Sequence, residues 1–193
     1  MSVRDTRHTI VEAADDLFYR QGYDHTSFAD IADTVQISRG NFYYHFKTKD
    51  RILEAVIETR LANTQAMLDR WQRDEDTPED RIRSFIRILI MNRTKIESYG
   101  CPVGTLSTEL AKLGHPAKDQ ANAVFTLLHD WLSKQFMSLG LAEEADDLAM
   151  HLLAISQGVA TLTNAFRDAA FTKREVDRME AWLDEQIARA ASR

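Results

Sequence analysis

The sequence predicts an all-α protein, and three observations lead to this fold class. With 23 and 18 residues, alanine and leucine far outnumber the 8 valines, a balance that favours helices over strands. Only 7 Gly and 3 Pro interrupt the 193 residues, and apolar residues recur with a helical period between these breaks. No stretch alternates between polar and apolar residues for long enough to indicate a strand. The breaks predict about nine helices, four of them before Asp74.

Capping signals place the ends of several helices. The first helix is expected to stop before Gly22, a position typical of a left-handed C-terminal cap. Thr48 can cap a long fourth helix, and Thr77 with Pro78 begins the next one. A capping box formed by Thr172 and Glu175 predicts the start of the last helix.

Composition and charge exclude several classes of protein. The 44% apolar content is typical of a globular protein, so a disordered chain is excluded. Residues 148–166 carry no Asp, Glu, Lys or Arg, but their hydroxyl, amide and imidazole groups argue against a membrane span and for a largely buried helix. One cysteine cannot form an internal disulfide, and the N-terminal residues lack the apolar core of a signal peptide. We therefore expect a cytoplasmic protein without membrane contact.

Residues 26–46 are the one segment whose residue pattern predicts more than a single amphipathic helix. The spacing of Phe28, Ile31 and Val35 predicts a short first helix with one apolar side. Ser38 is a strong N-cap for a second helix from Arg39 to about Phe46. Phe42 and Phe46, four residues apart, are expected to face inward. Two short helices in this order predict a helix-turn-helix.

The outward face of the second helix has the chemistry of a DNA-reading surface. Arg39 can bond guanine and Asn41 adenine, while Gly40 lets the backbone come close to the bases. Tyrosine and histidine side chains can donate to phosphate oxygens, and hydroxyl groups and helix N-termini can hold phosphates at the groove edges. The candidate DNA-binding residues are Thr26, Ser27, Ser38, Arg39, Gly40, Asn41, Tyr43, Tyr44, His45 and Lys49. The alternative is a solvated helix with two half-buried tyrosines.

The string SRGNFYYHFKTKD, which ends near Lys49, resembles the DNA-binding signature of TetR/AcrR-family transcriptional regulators. This resemblance covers roughly residues 5–55. It implies a helix-turn-helix DNA-binding domain, assigned to residues 1–50, and a ligand-binding and dimerisation domain in residues 51–193. It also implies that a homodimer represses transcription from a palindromic operator of double-stranded DNA until a small-molecule effector releases it.

Carried over to this chain, the resemblance implies a role for each position of the motif. Residues 39–41 would face base edges, Tyr43 would lie at the groove wall, and Tyr44, His45 and Lys49 would hold phosphates. Ser27 would anchor the start of the first helix of the pair.

Two departures from the family pattern and the charge balance bear on DNA binding. Gln36 stands at the turn where many members have glycine, so we expect either a strained left-handed residue or a different turn. Ala29 stands where many members carry a basic residue, so we expect one DNA contact of the family to be missing. Residues 1–51 contain seven basic and eight acidic side chains, and the whole chain has a net charge of −6. A single half-site is therefore expected to bind weakly, and a dimer would supply the missing affinity.

The C-terminal half offers a predicted dimer interface and a predicted effector site. Helices 148–166 and 172–190 have more apolar surface than one core needs, and in the resembled family the last two helices form a four-helix bundle between subunits. The expected interface residues are Leu152, Ile155, Val159, Leu162, Phe166, Val176, Met179, Trp182 and Leu183. The effector candidates are Asn92, Phe125, His129 and His151. In both sets the alternative is an ordinary core residue.

A second interpretation of the sequence is an all-helical enzyme or ligand carrier. In that case residues 26–49 would pack against the rest of the protein and would not bind DNA. The sequence lacks a Gly-rich phosphate loop, a G-x-S-x-G motif, an H-E-x-x-H motif and a carboxylate pair. We therefore expect no enzymatic activity, no cofactor and no metal site.

Overall fold

A computed structural model describes the backbone of residues 3–192 and the side chains of residues 6–192. Residues 1, 2 and 193, the outer ends of the two predicted domains, lie outside the described residues. Within 3–192 the chain forms helices and no strand, which confirms the all-α prediction. In chain order the helices are α1 (Val3–Gln21), α2 (Phe28–Val35), α3 (Arg39–His45), α4 (Lys49–Asp74), α5 (Pro78–Met91), α6 (Arg93–Tyr99), α7 (Pro102–Lys112), α8 (Lys118–Ser138), α9 (Ala145–Phe166) and α10 (Ala169–Ala191).

One break that the sequence does not signal raises the number of described helices to ten. The helix that begins at Pro78 is interrupted at Asn92, where φ is −100° and ψ is 9°. The amide N–H of Asn92 still bonds to the carbonyl of Ile88 at 3.0 Å, and α6 resumes one residue later. Neither Gly nor Pro marks this position, so the composition of the segment predicts one continuous helix.

Most capping predictions are confirmed, and the start of the last helix is corrected. Gly22 follows α1 with φ of 91°, and Thr48 Oγ1 accepts the N–H of Arg51 at 3.2 Å. The last helix begins at Ala169, three residues before Thr172, because the side chain of Asp168 accepts the N–H of Ala170 at 2.9 Å. Thr172 is buried inside α10, and its hydroxyl hydrogen-bonds that of Thr163 at 2.8 Å.

The chain divides into two compact units. The first contains the described residues up to Asn63 together with Pro102–Val124, so it is larger than the predicted domain 1–50. Its core draws apolar side chains from the first four helices and adds Leu106 and Leu110 of α7. The first unit therefore includes α7 and the beginning of α8 as well as the helix-turn-helix.

The second unit contains Thr64–Cys101 and the described residues from Phe125 onward. Within it α10 packs on α5 and α9, and α9 packs on α6. Asn164 of α9 donates to the carbonyls of Ile96 and Glu97 at 3.2 and 3.1 Å, which ties α9 to the end of α6. No helix within residues 3–192 has the length and apolar character needed to cross a bilayer.

Candidate nucleic-acid interface

A capping box fixes the start of α2. The hydroxyl of Ser27 accepts the N–H of Asp30 at 3.0 Å, and the carboxylate of Asp30 accepts the N–H of Ser27 at 2.7 Å. The hydrogen bond from the backbone of Ser27, followed by that from its hydroxyl, lowers the pKa of the Asp30 carboxyl below its ordinary value. Ile31, the residue after Asp30, is fully buried. The first helix of the pair therefore has an anchored N-terminus and one inward side.

The turn after α2 uses a left-handed residue that is not glycine. Gln36 has φ of 52° and ψ of 38°. Of the two possibilities that the sequence leaves open, the structure has the left-handed residue, a conformation that is strained for any residue but glycine.

Two aromatic side chains orient α3. Phe42 is completely buried, and its ring meets that of Phe28 of α2 edge to face, with centroids 4.7 Å apart. Phe46, directly after α3, is buried as well, and the guanidinium of Arg7 lies 5.1 Å from its ring centroid. Ser38 caps α3 by accepting the N–H of Asn41 at 3.3 Å. The buried side of α3 is thus fixed, and the polar side faces outward.

The outward side of α3 presents the predicted base-reading residues. Arg39, Gly40 and Asn41 are all exposed. Tyr43 and Tyr44 are 49% and 68% exposed, so Tyr43 is half-buried, as in the alternative interpretation, whereas Tyr44 is mostly exposed. The ring of Tyr43 rests on Phe28 at 5.2 Å, so its phenol is held in place without being covered.

His45 and Ser27 remain near this surface in secondary positions. His45 is partly buried, and Tyr44 packs edge to face against its ring at 5.2 Å. Ser27 is exposed, although its hydroxyl already accepts a capping hydrogen bond. A donor hydrogen of that hydroxyl is still available to a phosphate.

The structure places two of the ten predicted contacts elsewhere. Thr26 is fully buried, and its hydroxyl donates to the carbonyl of Gly22 at 2.7 Å, so it has no surface for DNA. The ammonium of Lys49 donates to the carbonyl of Tyr23 at 2.9 Å and lies 4.1 Å from the centroid of that ring. Both side chains hold the loop between α1 and α2, Thr26 through a partner four residues away and Lys49 through one 26 residues away.

One cation near the face was missing from the predicted set. Lys47 is exposed directly after α3, and its ammonium donates to the carbonyl of Tyr43 at 2.5 Å. The sequence signal that could have identified Lys47 is its position as a basic residue directly after the aromatic residues of α3. Lys47 is exposed whereas Lys49 is partly buried, so Lys47 is the more accessible candidate phosphate ligand.

The four predicted effector residues do not line one enclosed site. Asn92 and His151 are exposed, and the ring of His151 lies 5.2 Å from that of Trp182. His129 is mostly covered, with its ring nitrogens 3.2 Å from a carboxylate oxygen of Asp130 and 3.4 Å from one of Asp146. Phe125 is partly buried.

A different buried group faces empty space. Ser107 of α7 is buried, and its hydroxyl has no hydrogen-bond partner. It lines a small cavity of about 10 Å³, roughly the size of one water molecule. The other lining residues, from α4, α7 and α8, are Ile57, Arg60, Val103, Leu106, Ala121 and Val124. Among the described residues, no group of three or more His, Cys, Asp or Glu is placed to hold a metal ion.

The predicted dimer residues separate into two groups. The side chains of five of them are covered inside their own protomer and have almost no surface left for a partner: Leu152, Val159, Val176, Met179 and Leu183. Ile155 and Trp182 are partly buried, and Leu162 and Phe166 are exposed. Helical periodicity identified the apolar side of each helix, but that side mostly faces the protomer's own core.

Comparison with known proteins agrees with this architecture. Residues 10–56 match the family model described as bacterial regulatory proteins, tetR family, and residues 78–174 match that of the transcriptional regulator LmrA/YxaF-like C-terminal domain, which alone covers half of the chain. The HTH-type transcriptional regulator LmrA of Bacillus subtilis (strain 168) is 30% identical over 136 residues, which are 69% of this chain and 70% of that protein.

Two further similarities extend over most of the chain. An uncharacterized HTH-type transcriptional regulator in the lacX 3' region of Lactococcus lactis subsp. lactis is 28% identical over 171 residues, 86% of this chain and 87% of that protein. The crystal structure of a TetR transcriptional regulator from Legionella pneumophila shares the fold, with a TM-score of 0.80 at 23% identity over 93% of this chain and 96% of that one. The chain therefore belongs to the TetR family of transcriptional regulators.

Proposed function

We propose that this regulator is a repressor that binds a palindromic operator as a homodimer and leaves it when a small molecule binds. The observation that carries the proposal is the exposed side of α3, where Arg39, Gly40, Asn41 and two tyrosines form one surface above a fixed aromatic core. Family membership decides against the enzyme or carrier alternative. Because its target is chromosomal DNA, we expect the protein in the cytoplasm.

Direct reading of bases by Arg39 and Asn41 is the first part of the proposal. An exposed arginine at the N-terminal end of a recognition helix is placed to form two hydrogen bonds with guanine in the major groove. Asn41 is placed to form two hydrogen bonds with adenine in the same groove. Tyr43, Tyr44 and Lys47 surround these positions with donors for phosphate oxygens.

The second part of the proposal is a dimer formed along α9. Met150, Ala154, Gly158, Leu162 and Phe166 are four residues apart and all exposed, so they form one ridge along the helix. The ridge has large apolar side chains at both ends and small residues between them. This arrangement allows two such ridges to pack closely. Phe166 is 71% and Leu162 42% exposed, and neighbouring exposed apolar side chains of this kind are typical of an interaction site.

The third part of the proposal is release by a small molecule. The unpartnered hydroxyl of Ser107 offers a hydrogen bond to a ligand inside an apolar lining. In the present conformation the cavity holds only a water-sized group, so an effector that uses it has to move α7 relative to its neighbours. An effector that binds the moved conformation more tightly than the present one shifts the protein toward the moved conformation. Release from DNA requires such a difference in affinity.

Selection from a random-sequence duplex pool tests DNA reading directly. The wild-type protein should enrich a palindrome, and Arg39→Ala should weaken binding of the dimer to it by about 2–6 kcal/mol, the contribution of two bidentate contacts with bases, one in each half-site. Arg70→Ala on the exposed side of α4 removes the same charge and serves as the matched control. Equal losses in the two variants would show that only charge matters, and they would contradict base reading by α3.

Repression is tested with a reporter gene placed behind the selected palindrome. Co-expression of the wild-type protein should lower reporter transcription, and Arg39→Ala should restore it. Increased transcription in the presence of the wild-type protein would identify an activator instead.

A further inference from the structure

The loop between α1 and α2 is held by a carboxylate from a distant part of the sequence. Glu109 of α7 accepts the backbone N–H of Tyr23 through Oε2 and that of Asp24 through Oε1, both at 2.9 Å. Each oxygen of the carboxylate thus has its own amide. Hydrogen bonds from an amide to an ionised acceptor are about twice as strong as neutral ones.

Gly22 makes room for this pair of hydrogen bonds. A Cβ atom at this position would lie 2.9 Å from Oε1 of Glu109, closer than real Cβ contacts. The φ of 91° at Gly22 also disfavours any other residue. The glycine therefore serves both the end of α1 and the approach of the carboxylate.

The same loop is bonded to α4 and leads directly into α2. The carbonyl of Tyr23 accepts a hydrogen bond from the ammonium of Lys49 at 2.9 Å. The phenol of Tyr23 donates a hydrogen bond to the carboxylate of Asp50 at 2.5 Å. Burial, followed by the hydrogen bond to Asp50, raises the pKa of the Tyr23 phenol. The N–H of Thr26 also bonds to the carbonyl of Tyr23 at 3.2 Å, one residue before the Ser27 cap.

From these contacts we infer that Glu109 is a positioning residue for operator binding, which fixes where α2 and the recognition helix α3 begin. Glu109 does not contact DNA in this account. It acts through the amides of Tyr23 and Asp24, within the same compact unit as the helix-turn-helix. The inference rests on the proposed function, because it concerns the orientation of the DNA-reading helix.

Glu109→Gln is the sharpest test of this role. The side chain keeps its volume but has one acceptor oxygen and an NH₂ donor, so one of the two amides loses its partner. Glu58→Gln on the exposed side of α4 removes the same charge from the same unit and is the matched control.

Hydrogen exchange at two amides tests the contact without DNA. We expect the amides of Tyr23 and Asp24 to exchange about tenfold faster in Glu109→Ala than in wild type, a factor that corresponds to about 1.4 kcal/mol. In Glu58→Ala, the matched control for this variant, they should exchange at the wild-type rate. Unchanged exchange in Glu109→Ala would overturn the inference.

Operator spacing tests the positioning role. The probes are the palindrome that the wild-type protein selects and versions of it with one base pair inserted or deleted between the half-sites. A fixed recognition helix should favour one spacing, and Glu109→Gln should reduce this preference several-fold at a temperature where the folded fraction equals that of wild type. Glu58→Gln should keep the preference.

The outcomes separate the inference from the proposed function. If wild type selects a palindrome and Glu109→Gln keeps the same spacing preference, the inference is wrong and the function stands. If binding falls only in proportion to the unfolded fraction, Glu109 is a stability residue and the inference is also wrong. If wild type selects no duplex at all, the proposed function fails and the inference fails with it.

Discussion

The ring of Phe42 in α3 stands perpendicular to the ring of Phe28 in α2, with centroids 4.7 Å apart and an interplanar angle of 89°. Phe42 has no exposed surface, and the ring of Tyr43, the next residue, also packs on Phe28. One residue of α2 thus contacts both an inward and an outward residue of α3. The orientation of the exposed side of α3, which we propose reads DNA, follows from this contact.

Replacement of Phe42 by alanine should destabilise the packing of α3 on α2, although it removes no side chain that we propose to contact DNA. We expect Phe42→Ala to lower the free energy of unfolding by about 3–5 kcal/mol, because it removes a buried aromatic side chain and leaves a cavity. Urea unfolding measures the change. Tyr44→Ala, on the exposed side of the same helix, should stay within about 0.5 kcal/mol of wild type. A loss of equal size in the two variants would contradict the assignment of inward and outward sides.

Glycine at position 36 should stabilise the protein. The left-handed backbone of Gln36 costs about 1–2 kcal/mol relative to glycine, and the greater freedom of glycine in the unfolded chain offsets about 0.4–1 kcal/mol of this. We therefore expect Gln36→Gly to raise the free energy of unfolding by about 0.5–1 kcal/mol. Gln36→Ala keeps the strain and is the control, since it should give no increase. A destabilised Gln36→Gly variant would show that the turn is not strained.

Sequence patterns predicted the parts of the site that depend on neighbouring residues. Ser38 and Gly22 are helix-end signals, and Phe42 lies on an apolar side of helical period. All three have the predicted local role, because the physical cause lies within four residues of each position. The role of Ser27 at the start of α2 was implied by the family resemblance.

Long-range contacts set the limits of the sequence prediction. Lys49 bonds to Tyr23, which is 26 residues away, and Glu109 bonds to the same residue across 86. A pattern of single residues carries no information about such partners. Leu152 and Val159 show the same limit, because periodicity identifies an apolar side but not whether that side meets its own core or a second copy.

Acid should remove the contribution of the Asp30 capping box to stability. Its hydrogen bonds lower the pKa of Asp30 in the folded protein below the ordinary value of about 3.9. Because the folded pKa lies below the unfolded one, this contribution is complete above about pH 4 and is lost as the pH falls through the folded pKa. Asp30→Asn does not titrate, so the difference in unfolding free energy between wild type and variant should shrink below about pH 4. A difference that grows with falling pH would contradict the capping role.

A charge in the middle of the α9 ridge should separate the proposed dimer. Gly158→Arg places an unpaired guanidinium where two ridges would meet, and burial of an unpaired charge at an interface costs about 2–5 kcal/mol. Sedimentation equilibrium should show monomers at concentrations where wild type is dimeric. Ala62→Arg on the exposed side of α4 is the matched control and should leave the dimer intact. A dimeric Gly158→Arg protein would place the interface elsewhere.

Methylation interference on the selected palindrome tests most directly whether two copies of α3 read DNA. Methyl groups at guanine N7 lie in the major groove, where they block contact by an arginine. We predict that interfering guanines form two clusters, one per half-site, separated by about one helical turn or a multiple of it. With Arg39→Ala, one guanine in each cluster should no longer interfere. A single cluster, or two clusters that Arg39→Ala leaves unchanged, would contradict the account.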